Sequence, residues 1–347
     1  MTALVAILSA LRRAVGRDLG TFGSLKLNNF FLFIALLIWG ALESGIEPRS
    51  AEPLLLLLAA VLLFPLSADP LQKIPRERLG SWPIGARQRI ALRLASLGLS
   101  PVLWMLGAIL LVKHVRPALG FAFLFTTVGV QGIALLGRQA AAHSPGSRLL
   151  RIVPGFPGRL GGLVRKNLRE MLSVLDVYIA ALIAIGGAGY RLLAPHPDPD
   201  AFPILALVVA LALSTYGQCL FGLDLRSSAI MRYRMLPLAG WEILLAKDLA
   251  YLGVLGVLVL PLAPGPGITF GLAALAIGHF PSVLLPSAQQ RWRFTGSRLL
   301  PGVVQALVSL GLGFGEYQRG VLYLAISAAC YGWSLWFFGR CWDRGLD

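Results

Sequence analysis

An all-α, polytopic transmembrane helix bundle is the architecture this sequence predicts, and three observations predict it. Of 347 residues, 56% are hydrophobic and only 14% charged, where a soluble domain is about 25% charged. Apolar runs of spanning length recur from end to end, leaving no room for a soluble domain of ordinary size. The 31 Lys and Arg side chains gather in alternate loops, as the positive-inside rule requires. A formal net charge of +15 would suggest nucleic acid in a soluble protein. Here the basic loops account for it, and no nucleic-acid partner is expected.

The elements follow in order. Residues 3–19 place Leu4, Ile7, Leu8, Leu11, Val15 and Leu19 at helical spacing, with Arg12, Arg13 and Arg17 mostly off that stripe. This fits an interfacial amphipathic helix, or equally the first turns of a longer helix. The basic residues follow the apolar ones, so the segment does not read as a cleavable signal. A span takes about 20 apolar residues to cross ~30 Å of hydrocarbon. About ten are expected, at 28–45, 53–68, 94–112, 117–137, 171–190, 202–222, 246–263, 268–288, 299–315 and 320–339. The second is short enough to tilt or to be re-entrant. With both termini cytoplasmic, 26 Lys and Arg fall inside and 5 outside (Arg49, Lys113, Arg116, Arg191 and Arg319). The expected location is therefore a cell membrane, crossed many times.

A weak parallel repeat runs through this series. Asp69 to Arg93 and Asp224 to Lys247 share an order: Asp, an Arg-x-Arg pair, a Pro with an apolar neighbour, then a run into the next apolar segment. Pro83 and Pro237 lie 154 residues apart, and LRRAVGRDLG (Leu11 to Gly20) matches LVRKNLREML (Leu163 to Leu172) at nearly that offset. The expected organisation is a first membrane repeat over 1–137, a cytoplasmic linker over 138–162, a second repeat over 163–288 and a C-terminal pair of spans over 289–347.

Chemical motifs are sparse. The sequence has no G-x-x-x-x-G-K-[ST], no H-E-x-x-H and no C-x-x-C, so no nucleotide, metal or catalytic site is expected on this chain. Cys219, Cys330 and Cys341 make neither a paired framework nor a metal spacing. Of the histidines, only His279 falls within an expected span, where a hydrogen bond to a neighbouring helix is the commoner role than a metal bond. Arg93, Asp176, Asp224 and Asp248 fall near expected span ends, where snorkelling or loop water would make them cheap. With no carboxylate placed at mid-membrane, a proton- or sodium-driven transporter and an intramembrane hydrolase are both disfavoured.

Positive-inside statistics account for Arg76, Arg78, Arg232 and Arg234. They leave unexplained the shared order of the two loops, and Leu236, Pro237, Leu238 and Trp241 in a cytoplasmic segment. Apolar and aromatic residues there suggest burial against another protein or in the lipid interface. The expected partner-binding residues are Arg76, Arg78 and Pro83 in the first loop. In the second they are Arg232, Arg234, Leu236, Pro237, Trp241 and Glu242.

FGLDLRSSAIMRYRMLPLAGWEILLAKDLAYL (Phe221 to Leu252) resembles the cytoplasmic loop of ABC-type exporter permeases, and LVRKNLREMLSVLD (Leu163 to Asp176) resembles their basic lead-in helix. The likeness covers about 90 residues of the second half. Leu225 stands where such loops often carry Gly, and Trp241-Glu242 where they carry a basic pair. The resemblance implies a membrane subunit served by a separate cytoplasmic ATPase, which would hold the ATP and Mg. It implies that Arg76, Arg78, Arg232 and Arg234 steer that subunit and that Leu236, Pro237 and Trp241 fill its groove. Lys247 and Arg93 would anchor the ascending helices at lipid headgroups. Membrane lipids and a second permease, identical or not, complete the expected partners. A polytopic enzyme acting on lipid, with basic loops for anionic headgroups, and a non-transporting scaffold are the alternative readings.

Overall fold

The computed structural model describes residues 5–13, 26–30, 32–34, isolated positions between 85 and 99, 157–226, 229–291 and 293–345. The chain divides into two compact units: Met1–Lys26 with Phe31–Ser144, and Leu27–Phe30 with Pro145–Asp347. In the first unit, residues 5–13 are helical. Most of the first four expected spans, the 69–93 loop with Arg76, Arg78 and Pro83, and hence the first copy of the repeat lie outside the described residues.

The second unit is helical. It holds α1 (Gly161–Met171), α2 (Leu175–Leu193), α3 (Ala201–Gly217), the short α4 (Gly222–Arg226) and α5 (Ala229–Arg234), then α6 (Gly240–Val259), α7 (Pro264–Leu284), α8 (Leu299–Arg319) and α9 (Val321–Arg344). A two-stranded ladder joins β1 (Lys26–Leu27) to β2 (Ser297–Arg298).

Burial sorts the helices into an inner and an outer set. α3 is apolar all round and buried almost throughout, as is most of α7, which marks helices enclosed by others. α2, α8 and α9 bury only narrow stripes, such as Asp176, Val177, Ala180, Ala184 and Gly187 of α2. Their outward faces carry Leu182, Ile185, Leu192, Leu300, Leu307, Trp333 and Phe337, all exposed. A bundle as apolar outside as inside has lipid as its natural solvent. Among the described residues, α2, α3 continued to Leu225, α7, α8 and α9 are long and apolar enough to cross a membrane. α6 has the length but also carries Glu242, Lys247 and Asp248. It begins at Gly240, six residues before the span that hydropathy predicts, because its polar first turns are packed against protein rather than hydrated.

Local chemistry sets the boundaries. Asp176 lies in the first turn of α2 and Glu242 in the first turn of α6, both favourable to the helix dipole. Pro264 and Pro266 open α7, where missing N–H groups cost nothing. Gly320, at φ +78°, is the single residue between α8 and α9. This left-handed conformation suits glycine and reverses the chain in one step. Within the core, a Cβ on Gly278 of α7 would overlap the Gly217 carbonyl of α3, so the two backbones approach as small residues permit.

This contact yields a stability test. Gly278→Ala is expected to cost about 1–3 kcal/mol by overpacking, read as a lower thermal midpoint of the detergent-purified protein. Gly253→Ala, with nothing within 4 Å of the added methyl, is expected to leave the midpoint unchanged or raise it.

Candidate functional site

The helix ends alternate between two faces of the bundle. At one, Arg191 in the last turn of α2 donates to the Pro261 carbonyl at 2.8 Å, and the Tyr317 hydroxyl of α8 donates to Asp200 at 2.5 Å. At the other, α4, α5 and the turn into α6 meet α1 and the end of α9. The residues singled out in the sequence stretch 224–247 lie at this second face.

The turn is built from its own backbone. The Met235 N–H donates to the Arg232 carbonyl at 3.2 Å and the Leu236 N–H to the Tyr233 carbonyl at 3.1 Å. The Arg159 guanidinium donates to the Pro237 carbonyl and lies 3.8 Å from Glu242. Glu242 reaches back to accept the Ala239 N–H at 2.9 Å, capping α6. The Gly240 N–H donates to Asp343 of α9 at 2.7 Å, and Trp342 stacks on Phe221 with ring centroids 4.5 Å apart. The turn is therefore fixed from both sides while its apolar residues stay outside. Met235 is 83% exposed, Trp241 45% and Leu236 42%, with Met231 beside them. Pro237 and Arg232 are exposed as well. Arg234 ends α5, but its side chain lies outside the described residues, as do Arg76, Arg78 and Pro83. Glu242, expected to meet a partner, is engaged as a helix cap.

Beneath the turn lies a group of charges. Asp224 of α4 is fully buried and accepts from two lysines, Lys166 Nζ of α1 at 2.5 Å and Lys247 Nζ of α6 at 2.6 Å. The Tyr233 hydroxyl of α5 is 3.2 Å from both carboxylate oxygens and receives Lys166 at 2.5 Å. Glu170 balances Lys166 at 2.9 Å, one turn on along α1. Lys247 Nζ also sits 4.8 Å from the Phe221 ring centroid and 3.4 Å from Asn167 Oδ1. Burial first, and then the nearby Asp224 carboxylate, push the Tyr233 phenol well above its ordinary range, so it serves as a fixed donor. Two positive and two negative side chains, with the Tyr233 hydroxyl, thus close four helices around one point.

This overturns two expectations. Asp176, Asp224 and Asp248 were expected near water at span ends, but each is shielded and bonded by protein groups. Asp176 accepts from Asn28 Nδ2 at 2.7 Å and from the N–H and hydroxyl of Thr295 at 2.9 and 2.8 Å. That holds the 27–30 segment to the loop before α8. Lys247 does not reach headgroups; its ammonium turns inward to Asp224. The physical reason is common to both: a bonded partner offsets the cost of a charge removed from water, and the folded ends supply partners where hydropathy assumes solvent. α1, within the stretch that resembles a basic lead-in helix, turns Asn167 and Glu170 onto the protein.

Asp248 also lies deeper than expected. It is the ninth residue of α6, about 12 Å along the helix. His279 Nε2 is 3.1 Å from its Oδ2, and Tyr331 donates to it at 2.9 Å. His279 Nδ1 contacts Ser334 of α9 at 2.9 Å. The expected role for His279, a hydrogen bond to a neighbouring helix, is what the geometry shows. Sequence reading missed Lys166 and Tyr233 altogether, though the bracketing of the stretch by Asp224 and Lys247 was a visible signal.

The chain matches no family model, no curated protein and no solved structure.

The charge group makes its own test. Asp224→Asn leaves two lysines facing each other, one fully buried, and is expected to destabilise by about 3–5 kcal/mol. Adding Lys247→Met is expected to recover part of the loss. Denaturation of the purified variants in one detergent measures both, and equal stability of the single variant and wild type would remove Asp224 from this role.

Proposed function

We propose that this chain is the membrane subunit of an ATP-driven transporter of the ABC type, working as an exporter. A separate cytoplasmic ATPase, holding ATP and Mg, docks on it. Ten spans, a parallel repeat and both termini on the cytoplasmic side of the cell membrane belong to the same reading. ATP binding and hydrolysis on the partner would rock the two repeats and alternate access across the membrane.

The observation that carries it is the exposed Met235, Leu236 and Trp241 on a turn that is rigidly held. Exposed aromatic and aliphatic residues on a fixed frame are what a docking hot spot needs, since little ordering entropy is lost on binding. Supporting it, Arg159, Arg165, Arg169, Arg232, Arg291, Arg293, Arg298, Arg340 and Arg344 cluster near the helix ends on this side, against Arg191 and Arg319 at the other. That asymmetry fits a cytoplasmic face, and it would steer an acidic partner surface. Arg76, Arg78 and Pro83 would supply the matching contact of the first repeat. The Asp224 group under the turn would carry a push on the turn into α1 and α6.

Affinity purification of the tagged chain from its native membranes tests this. A nucleotide-binding subunit is expected to co-purify. Trp241→Glu combined with Leu236→Glu is expected to lower its recovery by tenfold or more, on the order of 1.4 kcal/mol, and Arg232→Glu with Arg234→Glu to weaken it in a salt-dependent way. Full recovery with all four changes would exclude the turn as the docking element. Absence of any ATPase from the native complex would sink the transporter reading.

A further inference from the structure

We propose that Asp248 and His279 bind one exchangeable proton in the interior of the bundle, with Ser334 and Tyr331 as the hydrogen-bonding frame of the site. This is independent of what docks on the α5–α6 turn.

The argument is a count of hydrogens. The Ser334 hydroxyl lies 2.6 Å from the Ala276 carbonyl of α7. Two oxygens that close need a hydrogen between them, and the carbonyl has none to give, so Ser334 is the donor. Ser334 has then no hydrogen left for His279, and the 2.9 Å contact to Nδ1 requires Nδ1 to be the donor. On the other side of the ring, Nε2 lies 3.1 and 3.3 Å from the two Asp248 oxygens. That contact needs a second hydrogen, on Nε2 or on the carboxyl. Tyr331 donates its own hydroxyl to Asp248 Oδ2 and cannot be replaced as donor by the carboxylate. The two ring contacts therefore contain two hydrogens, one more than a neutral imidazole beside an ionised carboxylate holds. The geometry is that of the proton-loaded site.

Release is a balanced step. The Nδ1 hydrogen leaves to water, and the electron pair left on Nδ1 accepts the Ser334 hydroxyl, which turns away from Ala276. The other hydrogen stays on Nε2, donated to the now ionised Asp248 carboxylate, and the site changes from neutral to one negative charge. The swing of one hydroxyl converts proton occupancy into a changed contact between α7 and α9.

The surroundings isolate this pair. Among the described residues, the titratable groups that face it are Tyr331, half-buried on α9, and Tyr251, one turn on along α6. Lys247 precedes Asp248 but points to Asp224, and the Lys166 and Glu170 charges of α1 belong to that same group. From α3, Tyr216 faces Glu170 and Asp224. From α8, Gln305 reaches the Ala274 carbonyl of α7 and brings no charge. Asp176 of α2 is held by Asn28 and Thr295. Asp248 and His279 are themselves fully buried. An ionisable pair in a membrane interior is costly to keep without a use.

Proton counting tests the proposal. The full chain in lipid nanodiscs is taken from about pH 8 to about pH 5, the interval in which histidine ordinarily changes charge, and protons bound per molecule are counted with an indicator dye. Wild type is expected to bind one proton more than His279→Gln. Asp248→Asn, which keeps the shape and removes the counter-charge, is expected to count with His279→Gln, and the double variant to lose nothing further. Equal counts for wild type and His279→Gln would show a pair that never exchanges. A wild-type count in Asp248→Asn would show a histidine acting alone. Either result overturns the proposal, and a single size-exclusion peak for each variant secures the comparison.

Discussion

A charge taken out of water must find its partner in the protein, and this bundle is arranged around that constraint. Asp224 is the clearest case. It lies fully buried between Lys166 and Lys247, with Tyr233 above it. Remove its ligands and a carboxylate is stranded in apolar surroundings at a cost of several kcal/mol. Helices α1, α5 and α6 each bring a side chain to this carboxylate of α4, so none can shift alone without breaking a contact to it. The end of the bundle is thus fixed by geometry that apolar packing, which has no direction, would not supply.

The same constraint is met twice more in different chemistry. Asp176 is matched by neutral donors from Asn28 and Thr295, which hold a distant segment of chain against the loop before α8. Gln305 likewise receives Asn29 and gives its own amide hydrogen to the Ala274 carbonyl, tying that segment to α7 and α8. Asp248 is matched by His279 and Tyr331. These sites bind separate segments of the chain to one another where protein excludes solvent. On α9 the buried stripe narrows to small residues, Ser327, Ser334 and Gly339.

Fixing the polar end has a consequence for the surface. The α5–α6 turn is tied down by Arg159, Glu242 and Asp343, yet Met235, Leu236 and Trp241 remain uncovered. A flexible loop would have folded such residues inward or into lipid. Rigidity and apolar exposure together set this turn apart from the ordinary scatter of apolar atoms on a protein.

By itself the sequence determined the class of the molecule and the rough place of its elements. Twenty-residue apolar runs leave helices as the way to satisfy the backbone in lipid, so α2, α3, α7, α8 and α9 were legible from composition and length. The turn at Leu236–Pro237 was legible too, from proline and the misplaced aromatic Trp241. What tertiary structure decided is which charges meet. Hydropathy treats each position as facing either water or lipid, and so placed Asp176, Asp224, Lys247 and Asp248 at wet ends. The pairings join residues 23, 31, 58 and 148 positions apart in the chain. Such separations carry no local period, and no helical or strand spacing encodes them. Only when the helices pack does a carboxylate acquire its lysine or its histidine, and only then does the α5–α6 turn acquire a rigid base.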